Sequence, residues 1–483
     1  MLTANHFYSY ASCPRWAYLD LHGDREARHG PSEFLQKLLS DGRHHERAVI
    51  DRLGALRIGF DGKDVAGAAA RTATAMAAGV PRIAGAVLVA GEDGRVERLG
   101  VADLLERVPG RSSLGAHHYE VVEIKTARRV KPPYRMQLAF YSDLLAGAQG
   151  TAPLHAHLIM GDSRRESFLL AGVNGRYESQ LARLREIHAG HEPPVYICST
   201  CVTCPWRGVC VPQAEAEGHV SMVYGLQRET VGQLHQRGVR TCADLARTDP
   251  ARLEQWTRCG PSWARRLVGQ ARALEHGCVV WRDSPRLPAG EVELFFDIEG
   301  DPDTDALYLF GVLTRDGRGE RYVPFLAERP EDEARAFLAC LEFLESHPQA
   351  PIFHYHHYER TSLRRLVERY GVAPERVERL AARLRDLSAD VLAACYLPIR
   401  SYSLKTVARY LGFEWTQHNS SAVQSVVWFS SWLRTGDRAC LERAVEYNFD
   451  DCRATRVLKD WLAAGPHGVP EALAVERPAP AAV

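Results

Sequence analysis

The chain of 483 residues contains no apolar run long enough to span a membrane, which takes about 18 consecutive apolar residues. Its first residues, MLTANHFYSYASCPRWAYLD, lack a basic segment followed by an apolar stretch and a small-residue cleavage site. A soluble, cytoplasmic protein with no membrane partner is expected. The sequence has no Gly-x-x-x-x-Gly-Lys-Ser/Thr phosphate loop, so it carries no recognisable ATP-driven motor, and any helicase would be a separate partner. Sixty basic and sixty acidic residues leave no net charge, so charge alone indicates no partner. Lysine is scarce: only Lys37, Lys63, Lys125, Lys131, Lys405 and Lys459 stand among the sixty basic residues. A lysine retained amid so much arginine is a candidate for a role that needs a compact point charge rather than a planar fork.

A composition of 46% hydrophobic and 25% charged residues is that of a folded protein. At roughly 150 residues per domain the length predicts two to four domains. Residues 1–215 alternate helical patterns with strand-like runs (AGAVLVA, YEVVEIKTA, AHLIM) and close on a cysteine cluster, an α/β pattern. No strand is evident in residues 216–288, which read as short helices broken at Gly238, Pro250 and Gly260. Strands return at 289 (ELFFDIEG, LYLFGVL, APIFHYHHY) and helices follow to about 465, a second α/β domain. The Pro/Ala-rich stretch 466–483 reads as a flexible tail.

In YEVVEIKTARR the two-residue period of a strand puts Glu123 and Lys125 on one face and Val122 and Ile124 on the other. Asp103, in RLGVADLLERV, is an acid in an apolar stretch, costly unless a metal, cation or donor satisfies it. Asp103 and Glu123 can hold Mg²⁺, with Lys125 orienting the attacking water. In YRMQLAFYSDLL, Gln137 and Tyr141 fall on one helix face. Taken alone, Glu-x-Lys is a common surface charge pair. The ordered set of Asp, Glu-x-Lys and Gln-x-x-x-Tyr resembles the RecB-like branch of the PD-(D/E)xK nucleases, which have a restriction-endonuclease-like fold. The resemblance implies an upstream helix histidine at the metal. DGRHHERAVI offers His44 and His45, and the Gly-x-x-His-Glu spacing favours His45.

Twelve cysteines are present, and four crowd into CSTCVTCPWRGVC. In a reducing compartment this spacing reads as metal ligation. Cys201, Cys204 and Cys210 are close enough to converge on one centre. In RecB-like nucleases with an iron–sulfur cluster, such as the CRISPR-associated exonucleases, a fourth cysteine comes from the far N-terminus. The resemblance assigns that place to Cys13 and implies a structural 4Fe–4S cluster on Cys13, Cys201, Cys204 and Cys210. Cys198 departs from the pattern: with Cys201, Cys204 and Cys210 it offers a local zinc site instead.

Residues 228–286 carry eleven arginines and six acids, a net +5. GVRTCADLARTDPARLEQWTRCGPSWARRLVGQARAL resembles a helix-hairpin-helix region, which implies phosphate contacts to DNA. Solvated arginine faces are the alternative.

ELFFDIEG is an apolar strand interrupted by Asp297 and Glu299, two apart on one face, where they repel without a cation. AVEYNFDDCRATRVLKDWL reads as an amphipathic helix with Tyr447 and Asp451 one turn apart. Between them, Glu359 in IFHYHHYERTSLRRL opens a helix. This order resembles the DEDD exonucleases of the ribonuclease H-like fold, Tyr subtype. The resemblance implies two divalent ions, Mg²⁺ or Mn²⁺, held by Asp297, Glu299, Glu359 and Asp451, with Tyr447 positioning water. Asp386 in RLRDLSADVL and the segment SYSLKTVARYLGF also resemble that family. Glu359 departs from it, since aspartate is usual there, and Asp450 beside Asp451 adds an ambiguity.

Both resemblances in this order match a family of bacterial RecB-like nucleases. The expectation is an α/β multidomain, Mg²⁺- or Mn²⁺-dependent DNA nuclease, an exonuclease serving repair, recombination or foreign-DNA processing. The alternatives are a nucleic-acid-binding scaffold with one or both folds inactive, or a last domain acting on RNA.

Overall fold

The computed structural model describes all residues except 32, 93–94, 303, 418–421 and 468–483, so most of the expected tail lies outside the described residues. The chain divides into two compact units, Met1–Pro212 and Gln213–Val483. Among the described residues no helix is long and apolar enough to cross a membrane.

The first unit is built on a seven-stranded sheet of β1 (Leu2–Thr3), β2 (Leu56–Arg57), β3 (Arg82–Glu92), β4 (Arg95–Ser112), β5 (Gly115–Ile124), β6 (His155–Ile159) and β7 (Arg165–Leu169). The order is β2-β3-β4-β5-β6-β7, with β1 added parallel to β4. β5 runs antiparallel to β4 and parallel to β6. Its last six residues, Tyr119 to Ile124, are all buried, because helices cover both sheet faces. Tyr119 and Val121 pack with Met136, Phe140 and Leu144 of helix Pro132–Gln149. Val122 and Ile124 pack with Val49 and Ile50 of helix Glu33–Leu53. Helix Pro132–Gln149 starts with proline in its first turn and stops at Gly150, whose left-handed φ of 67° suits only glycine without strain.

The second unit begins with helices Arg228–His235, Cys242–Ala246, Pro250–Thr257 and Pro261–His276, separated at Gly238, Pro250 and Gly260. Contrary to the sequence reading, residues 216–288 do contain a strand. β8 (Val280–Trp281) pairs antiparallel with β14 (Cys395–Tyr396). Two residues are too few for an alternating pattern to be visible, and only the distant partner makes them a strand.

Five strands form the main sheet of this unit: β9 (Glu293–Asp301), β10 (Ala306–Asp316), β11 (Gly319–Leu326), β12 (Ile352–His354) and β13 (Leu384–Asp386), in the order β11-β10-β9-β12-β13. The first three are antiparallel; β12 runs parallel to β9, and β13 parallel to β12. β9 is covered on both faces. Leu294, Phe296 and Ile298 share a core with Phe337 and Leu341 of helix Glu333–Glu345. Phe295 points the other way, into a core with Leu458 and Trp461 of the long helix Arg438–Ala464. The period of two therefore aims Asp297 and Glu299 toward that long helix.

The preceding helical segment is docked on the same unit. Gln270 is buried, its Nε2 donating to Leu397 O at 2.6 Å and its Oε1 accepting from Tyr402 Oη at 2.5 Å. Gly269 leaves room for the Tyr396 ring; a Cβ there would come within 2.1 Å of it. Replacing Gly269 by alanine is expected to destabilise this unit by about 1–3 kcal/mol through overpacking. Chemical denaturation of the full chain checks this, and an unchanged midpoint would show that the ring moves aside freely.

Candidate functional site

Asp297 and Glu299 of β9 meet Asp451 of helix Arg438–Ala464, and one carboxylate oxygen from each lies within 4.8 Å of the other two. Among the described residues this is the one group of three histidine, cysteine or acidic side chains whose donor atoms converge so closely. Burial holds the Asp297 carboxyl well above the usual range, and the charges of Asp451, Glu299 and Glu359 push it further. Burial, then the charge of Asp451, raises Glu299 to about 8. Asp451 is raised to about 7 by burial, against hydrogen bonds from Trp415 and Tyr447 and the charge of Lys405. Three acids that share protons because they cannot all ionise are a fitting donor set for a hard divalent cation, which takes oxygen ligands and removes the repulsion.

The neighbours fix these oxygens. Asn448 is fully buried; its Nδ2 donates to Asp297 Oδ2 at 2.6 Å, and its Oδ1 accepts from Tyr322 Oη at 2.7 Å. Its side chain passes over Gly311, where a Cβ would stand 1.6 Å from Asn448 Oδ1. Trp415 Nε1 donates to Asp451 Oδ1 at 2.7 Å. Tyr447 is buried one turn before Asp451 and hydrogen-bonded to it; burial and the Asp451 charge push its phenol well up, so it remains a donor. Lys405 lies with its ammonium 5.1 Å from the Trp415 ring centre and 5.0 Å from that of Tyr447. Asp450 is turned away: its Oδ2 accepts from Thr416 N at 2.7 Å and its Oδ1 lies 3.3 Å from Arg453. The sequence does not mark Asn448 or Trp415, and it marks Lys405 only as one of six lysines and as part of SYSLKTVARYLGF. A neutral amide and an indole carry no signal of their own, although the lysine's rarity was one.

The fourth acid stands apart from this trio. Glu359 is buried at the start of helix Tyr358–Tyr370, with its Oε2 3.2 Å from His354 Nδ1 of β12. Its charge still reaches Asp297. Asp386 caps helix Leu387–Ala394, accepting from Ser388 N at 2.9 Å and from His356 N at 2.9 Å.

In the first unit, Asp103 of β4, Glu123 of β5 and Lys125 just beyond β5 are adjacent. Lys125 Nζ lies 2.6 Å from Glu123 Oε2, and Asp103 Oδ2 accepts from Ile124 N at 2.8 Å. Burial, then the Glu123 charge, raises Asp103 well above its usual value. Burial acts to lower the Lys125 ammonium, but Glu123 and Asp103 outweigh it and keep the lysine charged. Tyr141 is buried nearby and its phenol is raised by burial, then by Glu123, Asp103 and Glu46. Gln137, one turn earlier on the same helix, is half-buried. Glu46 of helix Glu33–Leu53 was missed in the sequence: its carboxyl is raised by burial and then by Glu123, so it faces the same pair. Its neighbour His45 has a buried Nε2 without a hydrogen-bond partner, whereas His44 is exposed with Nδ1 2.8 Å from Ser40 O.

Cys13, Cys198, Cys201, Cys204 and Cys210 line one cavity with Arg15, Trp16 and Trp206. The structure thus brings together both candidate ligand sets. Cys198 and Cys201 sulfurs are 4.0 Å apart. Burial raises Cys204 to about 11, with Cys13 and Cys210 adding to it. Cys201 is pushed up by its hydrogen bond with Cys198 and by burial. Thiols gathered this way lose their protons when a cation joins them. The N-terminal helices are tied to this region: Trp206 Nε1 donates to Asp20 Oδ1 at 2.8 Å, and Arg15 donates to Pro193 O at 2.8 Å.

A sequence model of the RNase H superfamily matches residues 294–463. The match contains the five-stranded sheet from Leu294 of β9 onward and the acids Asp297, Glu299, Glu359 and Asp451. These residues form an RNase H-like domain within a mixed α/β multidomain chain. No curated protein matches the chain.

The acid trio makes stability depend on pH. Glu299 and Asp451 have raised values when folded, so between about pH 4 and 8 the folded state binds more protons than the unfolded one, and stability falls as pH rises. Metal-free protein is expected to melt at a lower temperature at pH 8 than at pH 5.5, with Mn²⁺ restoring the loss at pH 8. Calorimetry of wild type against Glu299→Gln checks this; an equal pH slope in both would remove the acids as its source.

Proposed function

We propose, from the RNase H-like domain at residues 294–463, that the protein is a metal-dependent nuclease acting on DNA from its ends. The observation that carries this reading is the convergence of carboxylate oxygens of Asp297, Glu299 and Asp451 within 4.8 Å of one another. They would hold Mg²⁺ or Mn²⁺, with Glu359 available to a second ion beside Asp297. Bound there, such ions supply Lewis acidity toward phosphate and a water of lowered pKa. The chain's own part is to orient. Asn448 fixes the Asp297 carboxylate, Trp415 and Tyr447 fix Asp451, and the Tyr447 phenol holds its proton and can position a water beside the trio.

The first unit adds a second site of the RecB-like PD-(D/E)xK kind, with Asp103, Glu123 and Lys125 central and Gln137 and Tyr141 in support. Glu46 and His45 reach it from helix Glu33–Leu53. The adjacency of a charged Lys125 to the buried Glu123 and the half-buried Asp103 supports this reading. Cys13, Cys201, Cys204 and Cys210 would hold a 4Fe–4S cluster that fastens the N-terminal helices to the 198–210 segment, away from chemistry; Cys198 keeps zinc as the alternative metal. Equal iron and acid-labile sulfide in anaerobically purified protein are expected, and zinc without sulfide would replace the cluster. Cys204→Ala should lose the metal and destabilise the first unit.

Cleavage of end-labelled single- and double-stranded DNA tests the main reading. With Mg²⁺ or Mn²⁺, Lys125→Ala and Asp297→Asn should each remove one unit's activity by about 100-fold or more, and the double variant should be inert. Release of labelled mononucleotides would establish attack from ends. Metal-replete wild type that binds DNA but leaves it intact would establish the scaffold reading instead.

A further inference from the structure

Lys405 stands beside the acid trio without belonging to it. It is the second residue of helix Leu404–Tyr410, whose first turn is capped by Ser403. Its ammonium lies about equally close to two aromatic rings, 5.1 Å from the centre of Trp415 and 5.0 Å from that of Tyr447. Each ring also holds Asp451: the indole donates at 2.7 Å, and the phenol is hydrogen-bonded to the same carboxylate. Burial comes first and lowers the Lys405 ammonium's pKa, while the charges of Asp451 and Glu299 act the other way and the negative ring faces attract the ammonium at the margin of the cluster. Half-buried, the side chain has one side toward the acids and part of its surface toward solvent.

The residue type matters. Only six of the sixty basic residues are lysine. Between two rings an ammonium is a compact charge that can turn its three donors to any acceptor, whereas a guanidinium would have to stack on one ring and lose the other. The trio and Glu359 carry a formal −4 that two divalent ions would balance, so Lys405 would be surplus to the charge balance of the fully loaded site. A charge retained in that state serves an anion arriving from outside.

We propose that Lys405 contacts the scissile phosphate of the nucleic acid in the RNase H-like domain, on the side of the trio bounded by Trp415 and Tyr447. This rests on the nuclease reading. In the reaction a water oxygen bonds to phosphorus, the phosphorus–oxygen bond to the leaving sugar breaks, and that oxygen takes up a proton; no redox partner is required. Negative charge gathers on the phosphate oxygens on the way, and a fixed ammonium there lowers the barrier.

A counter-ion that merely holds the acids together predicts something different, and two opposed readouts separate the cases. The full chain carrying Asp103→Asn, which disables the first unit, is compared with and without Lys405→Met. Mn²⁺ binding is read by electron paramagnetic resonance, and single-turnover cleavage of an end-labelled oligonucleotide by gel. Removing a positive charge beside the trio should tighten Mn²⁺ binding by about tenfold, while the cleavage rate falls about 100-fold with little change in KM. Lys405→Arg should recover less than a tenth of the rate. Cleavage by Lys405→Met within threefold of its parent overturns the proposal. Weaker Mn²⁺ binding together with lost cleavage also overturns it, because that is the signature of a structural role; Lys405→Gln repeats the comparison should the methionine variant misfold. A parent that binds Mn²⁺ and cleaves nothing overturns the nuclease reading, and this assignment with it.

Discussion

Repulsion between closely gathered, largely desolvated carboxylates is the constraint around which the second unit is arranged. Asp297 and Glu299 sit on a strand whose Leu294, Phe295, Phe296 and Ile298 are core, and Asp451 faces them from a helix packed on that strand. Nothing in a hydrophobic core favours such a grouping. Its cost is met locally by oriented dipoles and one cation: Asn448 on Asp297, Trp415 and Tyr447 on Asp451, and Lys405 at the margin. Those donors are themselves held by packing, as in the seat of Asn448 against Gly311 and Tyr322. The site is therefore a property of three elements brought together: β9, the helix Arg438–Ala464 and the segment around Trp415.

The first unit meets the same problem with a different answer. Glu123 is paired directly with Lys125, and Asp103 is braced by the backbone amide of Ile124. There the protein supplies its own counter-charge, and the acids are spread over β4, β5 and a helix rather than gathered at one point. The two arrangements of carboxylates in one chain differ in their compensation: an ion pair in the first unit, and oriented donors with Lys405 at the margin in the second.

What was legible in the sequence follows from periodicity. Asp297 with Glu299, and Tyr447 with Asp451, stand out because a strand repeats every two residues and a helix face every four, and acids in apolar settings violate the pattern. Asp103, Glu123 and Lys125 show for the same reason. The breaks at Gly238, Pro250 and Gly260 were equally visible as backbone chemistry. Glu46 was not, because only the packing of its helix against β5 turns it toward Glu123, and the adjacent His45 offered the more familiar ligand. Asn448 and Trp415 are neutral, and His354 meets Glu359 through the placement of a strand and a helix that spacing does not specify. The strand Val280–Trp281 exists only through its distant partner.

The ties between the start and end of the first unit have a consequence for its biosynthesis. Arg15 reaches Pro193, His22 reaches Ile187 and Trp206 reaches Asp20, while Cys13 lines the same cavity as Cys210. A nascent chain emerging from the ribosome must therefore leave its second helix, Pro14–His22, without these partners until nearly the whole unit has been made. The closing of the cavity is a late, long-range event, and it marks the moment when the unit passes from a growing chain exposed to chaperones and proteases to a finished one.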